Sequence, residues 1–75
     1  MPNENILKAL KDTAKKITDL KSFNVVIILK TIEDYEKDGV DQLFIEQQKI
    51  QLQKVYTMIE ELEATAQRLL KRLEC

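Results

Sequence analysis

A regular stripe of apolar residues runs along the second half of this chain, where apolar side chains recur at alternating spacings of three and four residues. These spacings place the side chains on one face of an α-helix, in the seven-residue repeat of a helix that packs lengthwise against another helix. Gln48 is the one polar residue in the repeat. The pattern predicts a long amphipathic helix, and we call its apolar positions the seam: Ile45, Leu52, Val55, Ile59, Leu62, Ala66, Leu69 and Leu73.

The first half of the chain begins with a similar amphipathic pattern, which Asn3 or Asn5 is suited to cap. Its predicted inner residues are Ile6, Leu10, Ala14, Ile17 and Leu20. Residues 25–29 then form a run that is apolar on all sides, which is compatible with a buried strand or a buried helix. We favour a helix because the chain offers no second strand to pair with this one. Ser22, in the interruption at residues 22–24, is suited to cap a new helix, so the first half is either one helix or two.

A single break separates the two halves. Gly39 is the only glycine in the chain and suits the left-handed position that follows a helix, while Asp41 is suited to cap the next helix. The stretches on either side, residues 4–37 and 41–74, are equally long. Two equal helical arms predict an all-α fold, an antiparallel αα-hairpin that forms one domain, with its turn between Asp38 and Asp41.

The chain carries more apolar side chains than such a hairpin can bury, because a two-helix hairpin covers only one face of each helix. Residues 25–29 are the clearest case, and Phe44 and Leu70 also lie outside or beside the seam. Exposed apolar surface on a small protein indicates a binding partner or another copy of the chain. The candidate partner surface comprises Val25, Val26, Leu29, Tyr56 and Met58. In the alternative, a kinked first arm folds into a three-helix core that covers these residues.

Size and charge also bear on association. A chain of 75 residues buries only ~60% of its unfolded surface and is marginally stable without a staple or partner, so we expect a homodimer in isolation. The net charge is −1, but basic residues concentrate toward both ends and acidic residues toward the middle. An antiparallel hairpin places the basic ends at one pole and the acidic turn at the other. This layout either orients a partner or a second copy, or is an ordinary pattern of solvated helix faces.

The residue inventory argues against catalysis and against cofactor or metal binding. The chain has no histidine, and Ser22 is its only serine, so a nucleophile with a base and an oxyanion site cannot be assembled. Asp34 and Asp38 match early positions of a calcium-binding loop, but the position that must supply a bidentate carboxylate is Ile45. We expect no enzyme, no cofactor and no metal site.

Composition also narrows the setting in which the protein works. Cys75 is the only cysteine, which precludes an intramolecular disulfide and favours a reducing, intracellular compartment. No apolar run approaches the ~20 residues of a membrane helix, and there is no signal-peptide pattern. Nucleic acid binding is disfavoured because acids dilute the basic residues and aromatics are few. We expect a soluble, unprocessed cytoplasmic protein without membrane insertion.

The stretch from Leu29 to Leu62 has Gly39 and Asp41 in a turn, followed by a glutamine-rich amphipathic helix with Gln48 near its start. Its seam there consists of Leu52, Val55 and Ile59. This stretch resembles the small co-chaperones of the type III secretion needle subunit, although the second helix continues beyond that family's pattern. The resemblance implies a cytosolic hairpin that lays its apolar faces on a larger helical-repeat chaperone, so that the pair keeps the needle subunit unpolymerised until export. The alternative function is a self-associating coiled-coil module with a structural or regulatory role.

Overall fold

The computed structural model describes residues 2–74, which form two helical arms that pack against each other. The first arm contains α1 (Pro2–Asp19), a π-helical segment (Leu20–Asn24) and α2 (Val25–Asp38), and the second arm is α3 (Gln42–Glu74). Residues 2–74 contain no strand. The molecule is an elongated rod with extents of 56 × 15 × 12 Å. The predicted all-α helical hairpin is confirmed.

The turn between the arms uses the two residues that the sequence indicated. Gly39 adopts φ 67° and ψ 30°, the left-handed conformation that ends a helix at low cost when the residue is glycine. The next amide, Val40 N–H, donates to the Tyr35 carbonyl oxygen at 3.0 Å. Asp41 then caps α3, because its Oδ1 accepts a hydrogen bond from Leu43 N–H at 2.9 Å. These bonds satisfy backbone groups that a helix end leaves without a helical partner.

The first arm is one continuous helical rod, without a break at residues 22–24. Asn24 keeps right-handed helical angles, and the π-helical segment includes Ser22. Of the two alternatives for the first half, one helix or two, the alternative in which Ser22 caps a second helix is therefore wrong. Asn3 and Asn5 also lie within α1, which begins at Pro2, so neither caps it from outside.

The π-helical segment changes which side of the first arm faces α3. In α1 the inward residues follow spacings of three and four and end at Leu20, whereas the next inward residue, Val25, lies five positions further on. Val25 N–H donates to the Leu20 carbonyl oxygen, and this hydrogen bond closes the wider loop that defines a π turn. This loop accommodates one additional residue, so Val25 continues the inward face where an unbroken α-helix would place Asn24.

One predicted inner residue of α1 differs in the structure. Ala14 is exposed, and the neighbouring Thr13 is buried. Leu10, Thr13 and Ile17 follow the three-and-four spacing of the inward face, which leaves Ala14 beside it. Thr13 Oγ1 donates to the Ala9 carbonyl oxygen at 2.7 Å, so its hydroxyl has a hydrogen-bond partner away from water.

The core is a thin strip between the two arms. Ile45, Val55 and Ile59 of α3 are the buried apolar residues among those described, and even the least exposed of them, Ile59, keeps 4% exposure. Within residues 2–74, no third helical layer lies over the back of α2, where Val26 and Ile27 are exposed. The three-helix alternative is therefore wrong, because an unbroken first arm packs along a single face of α3.

Candidate protein-binding surface

The seam residues of α3 lie on the face that packs against the first arm. Ile45, Val55 and Ile59 are buried. The other seam residues are half-buried: Leu52, Leu62, Ala66, Leu69 and Leu73. Gln48, the polar residue in the repeat, is also half-buried. The seam is therefore occupied by the hairpin itself, and a partner must bind elsewhere.

Four of the five residues of the candidate partner surface are exposed. Val26 is 54% exposed, Met58 49%, Leu29 47% and Tyr56 40%. Val25 differs, because it is half-buried. The additional residue of the π-helical segment turns Val25 toward α3, so Val25 belongs to the inner face of α2 and not to the surface.

The structure adds further exposed apolar side chains to this surface. Large apolar residues that are exposed in the described chain occur mainly between residues 23 and 58, with Leu7 and Leu70 outside that range. We call the group within the range the turn-proximal surface: Phe23, Val26, Ile27, Leu29, Leu43, Phe44, Ile50, Tyr56 and Met58. It surrounds the half of the rod that ends in the turn. A partner that covers it must contact more than one side of the hairpin.

Leu43 and Ile50, which were not predicted from the sequence as part of a partner surface, lie seven residues apart on the back of α3. Both are more than half exposed. Their seven-residue spacing could have indicated this surface from the sequence, because it places two apolar side chains on one helix face away from the seam. This stretch of α3 is sparsely charged, since residues 42–58 contain only Glu46, Lys49 and Lys54 as charged residues. Two of them, Glu46 and Lys54, flank Ile50 on the same face at a spacing of four. A face that is apolar and sparsely charged is suited to burial against another protein.

An open groove lies halfway along the hairpin, between the end of α1 and the middle of α3. It has a volume of about 540 Å³. Leu20, Met58 and Leu62 provide its apolar lining, and Lys16, Asp19 and Glu61 provide its charged groups. The groove adjoins the π-helical segment, because Leu20 is the first residue of that segment.

Potential metal-ligating side chains do not cluster in the part of the chain that the structure describes. No group of three or more metal-binding side chains comes together in residues 2–74. Asp34 and Asp38 lie within α2, so they belong to a regular helix and not to a calcium-binding loop. The ion pairs Lys30–Asp34 at 3.4 Å and Lys37–Glu33 at 3.1 Å join neighbouring turns of α2 through largely solvent-exposed side chains, and such pairs contribute little to stability.

Two further findings concern the whole described chain. Within residues 2–74, no helix combines the length and apolar character required to cross a bilayer. Comparisons with protein-family models, with curated proteins and with solved structures find no match.

Proposed function

We propose that this chain is a protein-binding helical hairpin that acts as a small co-chaperone in the cytoplasm. Together with a larger helical-repeat chaperone, it would keep a type III secretion needle subunit unpolymerised before export. The observation that supports this proposal is the turn-proximal surface, where apolar side chains remain exposed on several sides of one half of the rod. A concave partner, such as a helical-repeat protein, is suited to cover such a surface.

The thin core supports the same proposal. Only three apolar residues among those described are buried, so the hairpin has little internal apolar burial with which to offset the entropy of ordering its chain. Covering the turn-proximal surface would add apolar burial at roughly 25 cal/mol per Å² of area removed from water. The co-chaperone role itself follows from the resemblance of residues 29–62 to that family, with Gly39 and Asp41 in the turn and Leu52 in the seam.

A double substitution tests the proposal. Val26→Asp with Ile50→Asp places a charge on each exposed arm of the turn-proximal surface, where the native side chains are 54% and 55% exposed. We expect helical content by circular dichroism to remain close to that of the wild type, because both side chains project into solvent. We expect the partner complex to be lost in a pull-down from the native host, because an interface excludes an unpaired buried charge.

The matched control is Thr18→Asp with Gln67→Asp, which adds the same two charges at exposed polar positions outside the turn-proximal surface. The control should retain the complex. The wild-type chain should recover a helical-repeat chaperone and a needle-type subunit. Recovery of only its own copies would contradict the co-chaperone proposal and favour a self-associating module. Unfolding of the Val26 and Ile50 variant would show that these residues support the fold.

A further inference from the structure

The groove halfway along the hairpin has an exposed aromatic side chain beside it. Phe23 is 62% exposed and lies in the π-helical segment, three residues after the groove residue Leu20. Lys16 and Asp19, just before that segment, also line the groove. A protruding ring and an apolar groove therefore lie next to each other on the first arm. This is the arrangement that a self-complementary, two-fold interface requires.

The groove lies at the midpoint of both arms. Leu20 is equally distant in sequence from Pro2 and Asp38, the ends of the first arm, and Met58 is equally distant from Gln42 and Glu74, the ends of α3. A two-fold axis near this midpoint therefore aligns two antiparallel rods over their full length. In that arrangement the turn of each copy lies beside the chain ends of the other.

The charge distribution favours this antiparallel alignment. Residues 31–46, at the turn, contain six acidic residues and one lysine, a net charge of 1 − 6 = −5. Residues 2–16 and 64–74, at the other pole, together contain seven basic and three acidic residues, a net charge of 7 − 3 = +4. An antiparallel pair brings opposite poles together at both ends, whereas a parallel pair brings like poles together.

The charged groups of the groove are compatible with the same symmetry. In each copy the groove is lined by one lysine, Lys16, and by two carboxylates, Asp19 and Glu61. A two-fold axis can place Lys16 of one copy beside a carboxylate of the other copy. By symmetry, the same ion pair then forms twice. A groove with charge of one sign only would repel its own copy.

We propose that two copies of this chain associate antiparallel through the groove, with Phe23 of each copy seated against Leu20, Met58 and Leu62 of the other. The proposed dimer and the proposed partner complex are alternative states of the chain, because both cover Phe23 and Met58 of the turn-proximal surface. The dimer itself does not depend on the co-chaperone function. It uses the side of the hairpin that carries Met58, and leaves Leu29 and Tyr56 on the opposite side. Met58 directly precedes the seam residue Ile59 and so lies on one flank of the repeat, whereas Tyr56 directly follows the seam residue Val55 and lies on the opposite flank. Leu29 directly follows the inward residue Ile28 of the antiparallel first arm, which places it on the same side as Tyr56.

Sedimentation equilibrium tests the interface with full-length chains that all carry Cys75→Ser, which removes disulfide-linked dimers. The reference chain should be a dimer. Phe23→Asp should raise the dimer dissociation constant by at least about tenfold, the loss expected when a central aromatic contact is removed. The control Leu29→Asp places the same charge at an exposed apolar residue on the opposite flank, and should change the dissociation constant by less than about threefold. A monomeric reference chain, or equal weakening by both substitutions, would overturn the proposal.

A distance measurement tests the orientation without altering the groove. Asp38→Cys in the Cys75→Ser chain places one nitroxide label per copy at the turn, and pulsed electron paramagnetic resonance then measures the separation of the two labels. The antiparallel dimer predicts a separation approaching the 56 Å length of the rod. Two turns lying side by side, with a short separation, would contradict the proposed dimer even if Phe23→Asp also impaired folding.

Discussion

At the scale of single residues, stability depends on whether a side chain lies on the strip between the arms. Ile59 is buried at 4% exposure, while the next residue, Glu60, is exposed. Truncating Ile59 removes apolar contacts and leaves a cavity that the thin core can only partly close. Truncating Glu60 removes a side chain that is already in water. Two neighbouring positions of α3 should therefore differ sharply in their sensitivity to alanine.

The first prediction compares these two positions. Ile59→Ala should lower the free energy of unfolding by ~2 to 5 kcal/mol, a large share of the stability of a domain this small. Glu60→Ala should change it by less than ~0.5 kcal/mol. Urea denaturation followed by circular dichroism measures both values. Equal losses at the two positions would show that the seam has been assigned to the wrong face.

Gly39 shows a different kind of residue-scale constraint. Its φ of 67° lies in the left-handed region, and it is the only residue with a positive φ among those described. A Cβ at this position would meet no atom within 4 Å. The requirement for glycine therefore comes from the backbone conformation of the helix end and not from crowding around it.

At the scale of helices, the π-helical segment decides how the first arm presents its apolar side chains. Between Leu20 and Val25 the inward spacing is five residues, whereas elsewhere in the arm it is three or four. The additional residue turns the following helix by about one residue's rotation, roughly 100°. As a result Val25 and Ile28 are half-buried, while Ile27 is exposed.

Deleting one residue from the segment tests this account. Removal of Ser22 shortens the Leu20 to Val25 spacing to four, so the inward residues follow one repeat throughout the arm. We expect a regular α-helix and a melting temperature that is unchanged or higher. Each kcal/mol gained in the free energy of unfolding would raise the melting temperature by roughly 4–8 °C. Deletion of Lys30, an exposed residue of regular α2, should instead lower the melting temperature, because it turns Ile32 and Tyr35 away from α3. Similar destabilisation by both deletions would contradict the account.

At the scale of the whole molecule, the hairpin is a rod 56 Å long and only 15 × 12 Å across. Two helices side by side leave the outer half of each helix in water, so the buried apolar area is small for the number of residues that must be ordered. Association is the available way to increase that area without lengthening the chain. Stability should therefore depend on protein concentration.

Thermal melting over a range of concentrations tests this dependence. For a self-associating chain the melting temperature should rise with protein concentration, because mass action stabilises the associated folded state. Phe23→Asp should flatten the dependence, and Leu29→Asp should preserve it. A wild-type melting temperature that is independent of concentration would contradict self-association.

The hairpin and its turn were predictable from the sequence because they follow from local rules. The seam repeat sets the length and inner face of α3, and Gly39 and Asp41 have backbone and capping preferences that act over a few residues. The exposure of Val26, Leu29, Tyr56 and Met58 was expected for a related reason, since two helices cannot cover an arm that is apolar on all sides.

The tertiary structure decided how the first arm passes through residues 20–24 and which of its side chains turn inward. A polar interruption allows either a helix break or a π turn, and local preferences do not distinguish the two. In the folded chain, the π turn keeps both α1 and α2 against α3 along one rod. That packing turns Val25 inward, selects Thr13 over Ala14 for burial, and leaves Phe23 exposed beside the groove, because each of these outcomes depends on the position of the other arm.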